Sequence, residues 1–266
     1  MNLNLEEICL LVAGLSRSTG AFIRDESENF DRSRIEHKGP SDLVSYVDKE
    51  TEKKLVAGLR SILPDAGFLT EESTVVQEDK EYKWVIDPLD GTTNFLHGMP
   101  VYSISIALMQ GNSLLTGVVY EVNRDECFYA WKGGKAWLNG KQISVSPVET
   151  LRESLIASGF PYSQKGKAGN HFTILRELQD KTHGIRRLGS AAVDLSYVAC
   201  GRFEAYYEFN LHIWDVAAGI LIVQEAGGSL CDFDGGNDFL YGKEILAAGP
   251  VGKEVLEIIQ KHWNTN

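Results

Sequence analysis

The sequence predicts a layered α/β protein (α+β in chain order) in which two sheets alternate with layers of helix. Three observations carry that expectation. The first half contains a series of short β-rich runs divided by turn residues, the pattern of a mostly antiparallel sheet. The second half alternates strand-like and helix-like segments, which packs helices onto sheet faces. Hydrophobic residues make up 43% of a 266-residue chain, enough for a sizeable core.

Residues 5–24 place Leu5, Ile8, Val12, Leu15, Thr19, Phe22 and Ile23 on one helical face. Ser41 suits the N-cap of a second helix that turns Leu43, Val47, Leu55, Leu59 and Ile62 inward and stops before Pro64. Asp48 and Glu52 ride on that helix. Strands are expected at 83–86, 103–109, 114–121, 127–131 and 136–138, and Asn139-Gly140 marks a tight hairpin turn. Farther on, strands are expected at 155–158, 184–188, 203–209 and 245–248. Helices are expected at 170–178, at 190–200 closed by Gly201, at 215–226 stopped by Gly227-Gly228, and at 252–263. No internal repeat or flexible linker divides the chain. It is expected to form one domain over 1–266, an antiparallel-sheet half (1–150) followed by an α/β half (151–266).

The formal net charge is -11. Such a surface repels nucleic acid and anionic lipid, so neither is expected as a partner. Cys9, Cys127, Cys200 and Cys231 show no C-x-x-C spacing, which fits reduced thiols in a cytoplasm. The apolar stripe at the N-terminus carries Glu6 and Glu7 and no basic lead-in, unlike a secretory signal.

The chemistry concentrates in Trp84-Val85-Ile86-Asp87-Pro88-Leu89-Asp90-Gly91-Thr92-Thr93-Asn94-Phe95. An apolar strand ends on Asp87, and Asp90 follows three positions later. Two carboxylates and a turn carbonyl, that of Leu89, suit magnesium, which demands oxygen ligands. Gly91-Thr92-Thr93 opens a helix whose free N–H groups suit a phosphate, and Gly91 admits close approach. Thr92 is placed to orient a water. Glu71 and Glu72 follow the run Gly67-Phe68-Leu69 and add acid able to bridge cations or accept a proton. Asp215 begins a small-residue helix, where Ala217, Ala218 and Gly219 allow close packing. With Asp48, six acids would repel one another unless cations intervened. The spacing D-x-x-D-G-T is one residue longer than the D-x-D-x-T of aspartyl-phosphate enzymes, so attack by water is expected.

At these residues the chain resembles the inositol monophosphatase family, within the magnesium-dependent, lithium-sensitive phosphatase superfamily. The likeness runs from about Lys38 to the last helix. It rests on G-x-x-x-E-E at 67–72, D-P-[IL]-D-G-T-T-N-F at 87–95 and W-D-x-A-A-G at 214–219. The resemblance implies an αβαβα sandwich, usually a homodimer, that hydrolyses a small phosphate monoester with two or three Mg2+ ions. It implies that Glu71, Asp87, the Leu89 carbonyl, Asp90 and Asp215 are ligands. Glu71 and Thr92 would activate water, with Glu72 and Asp48 in support, and Lys38 would lie in a mobile loop. Gly91, Thr92, Asp90 and Asp215 would adjoin the substrate. Gly189, Ser190 and Ala191 would touch its hydroxyl side, and Glu208 would hold sugar or inositol hydroxyls. Thr93-Asn94-Phe95 points to an inositol monophosphate. The alternatives are a 3′(2′),5′-bisphosphate nucleotide, fructose 1,6-bisphosphate, or a partner-binding role on a retained fold.

Overall fold

The computed structural model describes residues 3–30, 35–39, 42–78, 80–160 and 167–264. The chain begins with α1 (Leu5–Glu28), capped by the side chain of Asn4. A two-stranded antiparallel hairpin follows, β1 (Ile35–Gly39) and β2 (Asp42–Ser45), which the sequence did not announce. Lys38, expected in a loop, lies on β1 where the pairing register shifts.

Next comes α2 (Tyr46–Ile62), and its start corrects the expected one. Ser45 is the N-cap, and Leu43 lies on β2 rather than on the helix. Ser41 falls outside the described residues. Ser45 wins because a reciprocal capping box forms there: its Oγ accepts from Val47 N at 3.1 Å, and Asp48 reaches back to Ser45 N at 2.8 Å.

Seven strands form the larger sheet: β3 (Gly67–Thr70), β4 (Tyr82–Asp90), β5 (Ser103–Gln110), β6 (Ser113–Glu121), β7 (Glu126–Trp131), β8 (Ala136–Leu138) and β9 (Lys141–Ile143). They lie in sequence order. All pairings are antiparallel except β3 with β4. Asn139 and Gly140 join β8 to β9 with φ of 49° and 80°, the two left-handed residues of a type I′ turn. Between β4 and β5 the short helix α3 (Thr92–His97) intervenes.

The second sheet has the order β11-β10-β12-β14-β13. Its strands are β10 (Leu155–Ser158), β11 (Gly184–Arg186), β12 (Ala205–Phe209), β13 (Ser229–Cys231) and β14 (Glu244–Ala248). Helices α4 (Ala168–Lys181), α5 (Ala191–Ala199), α6 (Ile213–Glu225) and α7 (Gly252–Trp263) complete the chain.

Layering follows from period-two alternation along the strands. Trp84, Ile86, Ile104 and Ile106 pack with Val12, Leu55 and Leu59 of α1 and α2 on the outer face of the large sheet. Val85 and Ala107 face the other way and join α5 and α6 in the central core. That core also takes Ala157, Tyr206 and Ala247 of the second sheet, so α5 and α6 are sandwiched. Tyr207, Leu246 and Ala248 face outward onto α4 and α7. The order is αβαβα, as expected. Being covered on nearly all sides gives α5 and α6 their almost uniformly apolar sequences.

The small residues of α6 let it seat deeply. A Cβ added at Gly117 of β6 would lie 2.6 Å from the carbonyl oxygen of Ala218, and one at Gly219 would lie 2.6 Å from the Cβ of Leu195. Among the described residues, no helix is long and apolar enough to cross a membrane. All four cysteines are free.

Gly117→Ala would push α6 off the sheet, and overpacking of this kind costs about 2 kcal/mol. Gly14→Ala meets nothing within 4 Å on α1 and should gain about 0.5–1 kcal/mol from helix propensity. Urea unfolding midpoints of the two variants should therefore move in opposite directions.

Candidate active site

Parallel pairing of β3 with β4 creates the first contact. Thr70 sits opposite Ile86, so Glu71 arrives beside Asp87, and Glu71 N donates to Ile86 O at 3.2 Å. The two carboxyls share a hydrogen bond. Alternation turns Asp87 to the side of Val85, toward α6.

β4 does not end at Asp87 as expected. The ladder skips Pro88 and Leu89 and resumes with Asp90 opposite Ser103. Pro88 lacks the N–H that regular pairing would use. Leu89 N instead donates to Asp87 Oδ1 at 3.0 Å, which fixes that carboxylate. Gly91 then takes φ of 101° and opens α3, with no side chain capping its N-terminus. Neither Asp90 nor Thr92 serves as the cap. Thr92 Oγ1 lies 2.9 Å from Asp48 Oδ1 and 3.0 Å from Leu89 O. Its one proton is directed at those acceptors, which leaves its lone pairs to receive a hydrogen bond.

Asp90 reaches the second half of the chain. Its Oδ2 accepts from Ser190 Oγ and from Ala192 N, both at 2.7 Å, at the N-terminus of α5. Ser190 therefore uses its hydroxyl on Asp90 and lies 3.2 Å from Ser103 Oγ. Gly189, with φ of 90°, makes the turn into that helix. Asn94 Nδ2 donates to Val101 O at 2.7 Å and to Leu188 O at 2.8 Å, which locks α3 to the same turn.

Asp215 is the third helical residue of α6, not its first. Its Oδ2 accepts from His212 N at 2.7 Å, so it caps the helix while facing the other acids. Glu208 follows Tyr206 and Tyr207 on β12 and so turns inward, where it accepts from Tyr206 Oη at 2.6 Å. A Cβ at Gly159 would strike the Glu208 carboxylate. Glu208 is thus a half-buried group lining the interior, where sequence alone reads a solvated strand end.

Electrostatics unite these segments. Burial, then the charges of Glu71, Asp90 and Asp215, hold Asp87 well above the usual carboxylate range. Burial, then Asp90, does the same to Asp215. Burial raises Asp90 to about 6 despite its hydrogen bonds from Ser190 and Ala192 and the nearby Arg187. It raises Glu208 to about 7 and also lifts Asp48. Clustered perturbed carboxyls in one place mark a functional site.

Sequence reasoning expects a cage of acids around divalent cations. Among the described residues no three His, Cys, Asp or Glu side chains already converge as ligands on one point. Asp87 feels the charges of Glu71, Asp90 and Asp215, so these acids are neighbours. The donor set still fits a hard divalent cation: carboxylates of Glu71, Asp87, Asp90 and Asp215, with the Leu89 carbonyl, are all oxygen donors.

Three groups were not foreseen. Glu52 accepts from the residues flanking Glu71. Arg187 is a cation among Asp90, Glu208 and Asp194. Asp194 is 1% exposed, its Oδ1 has no hydrogen-bond partner, and burial, then the charges of Glu208 and Asp90, push its carboxyl well above the usual range. Lone charged residues on a helix or in a loop carry no signal beyond their type.

Comparisons with known proteins place the chain in a family. A sequence profile of the inositol monophosphatase family matches residues 4–265. The inositol-1-monophosphatase of Mesorhizobium japonicum is 41% identical over 225 residues, covering 84% of this chain and 83% of that one. The Nus factor SuhB of Pseudomonas aeruginosa is 41% identical over 253 residues, 93% of each chain. Among solved structures, the extragenic suppressor protein suhB from Bartonella henselae superposes with a TM-score of 0.89 at 38% identity, covering 94% of this chain and 97% of that chain. The chain belongs to the inositol monophosphatase family.

Proposed function

We propose that this protein is a magnesium-dependent phosphatase that hydrolyses a small phosphate monoester by direct attack of water, with myo-inositol 1-phosphate as its preferred substrate. The observation that carries the reading is the meeting of Glu71, Asp87, Asp90 and Asp215, from three separate segments, with the carboxyls of Asp87, Asp90 and Asp215 raised by burial and those of Asp87 and Asp215 also by their acidic neighbours. Bound cations offset that repulsion and favour the ionised forms.

Glu71, Asp87, Asp90, Asp215 and the Leu89 carbonyl would hold two or three Mg2+ ions. Bound there, the cations supply a lowered water pKa and stabilise charge on the phosphoryl oxygens. The chain's own groups supply the rest. Thr92 Oγ1, its proton turned to Asp48 and Leu89, accepts a hydrogen bond from the attacking water and orients it. Glu71 takes the proton that water gives up, and Glu72 adds negative charge beside it. Gly91 and Thr92 offer backbone N–H groups to the phosphate. Water oxygen bonds to phosphorus as the ester P–O bond breaks, the leaving alkoxide takes a proton from solvent water, and Glu71 returns its proton to solvent. Asp87, held through Leu89 N, forms no phosphoenzyme.

The inward-facing Glu208 supports a polyol as the leaving alcohol, since a half-buried carboxyl within range of the charges of Asp90 and Arg187 can hold several hydroxyls. Relatives of equal identity bear the names inositol-1-monophosphatase and Nus factor SuhB. Substrate choice therefore rests on assay. The same proposal includes a cytoplasmic homodimer, tested by sedimentation and fractionation.

Purified protein with Mg2+ should give its highest kcat/KM on inositol 1-phosphate against 3′-phosphoadenosine 5′-phosphate and fructose 1,6-bisphosphate. A higher value on either competitor transfers the assignment to that substrate. Asp87→Asn should lower kcat/KM by about a hundredfold or more. The same variant should melt at a higher temperature in chelator at pH 8, because one repelling charge is gone.

The pH dependence follows from the raised carboxyls. A group whose folded pKa is raised stabilises the fold below its unfolded value and loses that contribution as pH climbs through the folded one. With Asp90 near 6 and Glu208 near 7, the chelated protein should lose thermal stability between pH 5 and pH 8. Protons compete with cations at the same oxygens, so apparent Mg2+ affinity should fall as pH is lowered from 8 to 6.

A further inference from the structure

Glu52 sits on α2 one turn beyond Asp48 and is 0% exposed. Every hydrogen bond it makes runs into one short turn. Its Oε1 accepts from Thr70 Oγ1 at 3.0 Å, Thr74 N at 2.6 Å and Thr74 Oγ1 at 2.7 Å. Its Oε2 accepts from Glu72 N at 2.8 Å. These contacts bracket Glu71 on both sides. The turn also contains Ser73 at φ of 52°, a left-handed conformation costly for a residue with a Cβ. A backbone held there needs a partner that outweighs the strain. Two main-chain N–H groups ending on one buried carboxylate supply it.

From this geometry we infer that Glu52 is a positioning residue: by gripping residues 70–74 it sets where Glu71 presents its carboxylate, and so tunes divalent-cation affinity. The inference rests on the metal-site reading proposed above. It also gives α2 a purpose beyond packing. Asp48 takes the hydroxyl of Thr92 and Glu52 takes the turn of Glu71. Two acids four residues apart on one helix thus register both halves of the proposed water-activating pair against each other. Neither contact requires Glu52 to touch substrate or cation.

The conservative variant Glu52→Gln tests this. Whichever way the amide is turned, an NH2 group must face either the N–H of Glu72 or that of Thr74, so one donor meets a donor. Mn2+ binding to the chelator-treated full chain is measured by titration calorimetry, with circular dichroism and melting in chelator as checks on folding. Misplacing a ligand through its support weakens metal binding by about 10–100-fold. The expected result is a Mn2+ Kd raised within that span, with kcat at saturating metal within about twofold of the parent. Glu50→Gln, on the exposed side of the same helix and paired with Lys53, should leave Kd unchanged. If Glu52→Gln folds and binds Mn2+ as the parent does, the inference is overturned. If that variant does not fold, Thr74→Val removes one hydroxyl donor and keeps the backbone one. A Kd raised a few-fold supports the inference, and an unchanged Kd overturns it. A parent protein that binds no Mn2+ refutes the metal site itself, an outcome distinct from loss of the Glu52 effect.

Discussion

Like charges brought together out of water are the constraint on which this structure depends. Glu71, Asp87, Asp90 and Asp215 are partly or wholly withdrawn from solvent, and their mutual repulsion opposes the fold. Each is therefore tied down by groups of opposite polarity. Asp90 rests on the N-terminus of α5 and Asp215 on that of α6, where unpaired N–H groups and the helix dipole favour an anion. Asp87 takes the N–H of Leu89. The layering follows from the same need, since α5 and α6 begin at the site and run away from it between the two sheets.

The strands deliver the acids in register. The parallel pair β3–β4 in an otherwise antiparallel sheet brings two strand C-termini to the same edge, so Glu71 and Asp87 emerge together. Alternation along β12 turns Glu208 toward them from the second sheet. The break in the ladder at Pro88 lets Asp90 reach across to Ser190 while Asp87 stays with Glu71. A regular strand would have placed Asp87 and Asp90 on opposite faces, because residues three apart on a strand alternate. The D-P-x-D spacing thus needs the bulge to make both carboxylates useful.

Close packing makes this arrangement rigid. Gly117 against Ala218 lets α6 approach the large sheet backbone to backbone, and Gly219 admits the Leu195 side chain of α5 close to the helix. A helix seated on backbone contacts has little room to slide, so Asp215 is fixed relative to the acids on β4. Asn94 serves the same end at the other side, bridging Val101 and Leu188 with a single amide. Its value in the motif is this bridge between halves of the chain.

Much of the architecture was legible in the residue pattern. Hydrophobic period, Asn139-Gly140 and the glycines at 201 and 227 announced most strands and helix ends, because these signals act within a few residues. The acids at 71, 87, 90 and 215 were legible as a group from their local settings. The hairpin at 35–45 was not, nor was Ser45 as the N-cap of α2, because N-cap residue types recur along the chain and only the capping box with Asp48 singles one out. Nor did the sequence reveal that Ser190 is committed to Asp90, that Glu208 faces inward, or that Glu52 holds the turn at Glu71. Those are pairings across 100, 49 or about 20 residues, and their partners are set by strand register and helix seating. Which residue types the chain brings to the site was decided by the sequence alone; how near they stand and which hydrogen bonds they keep was decided by the packing of two sheets around α5 and α6, since distance between remote segments is a property of the assembled core.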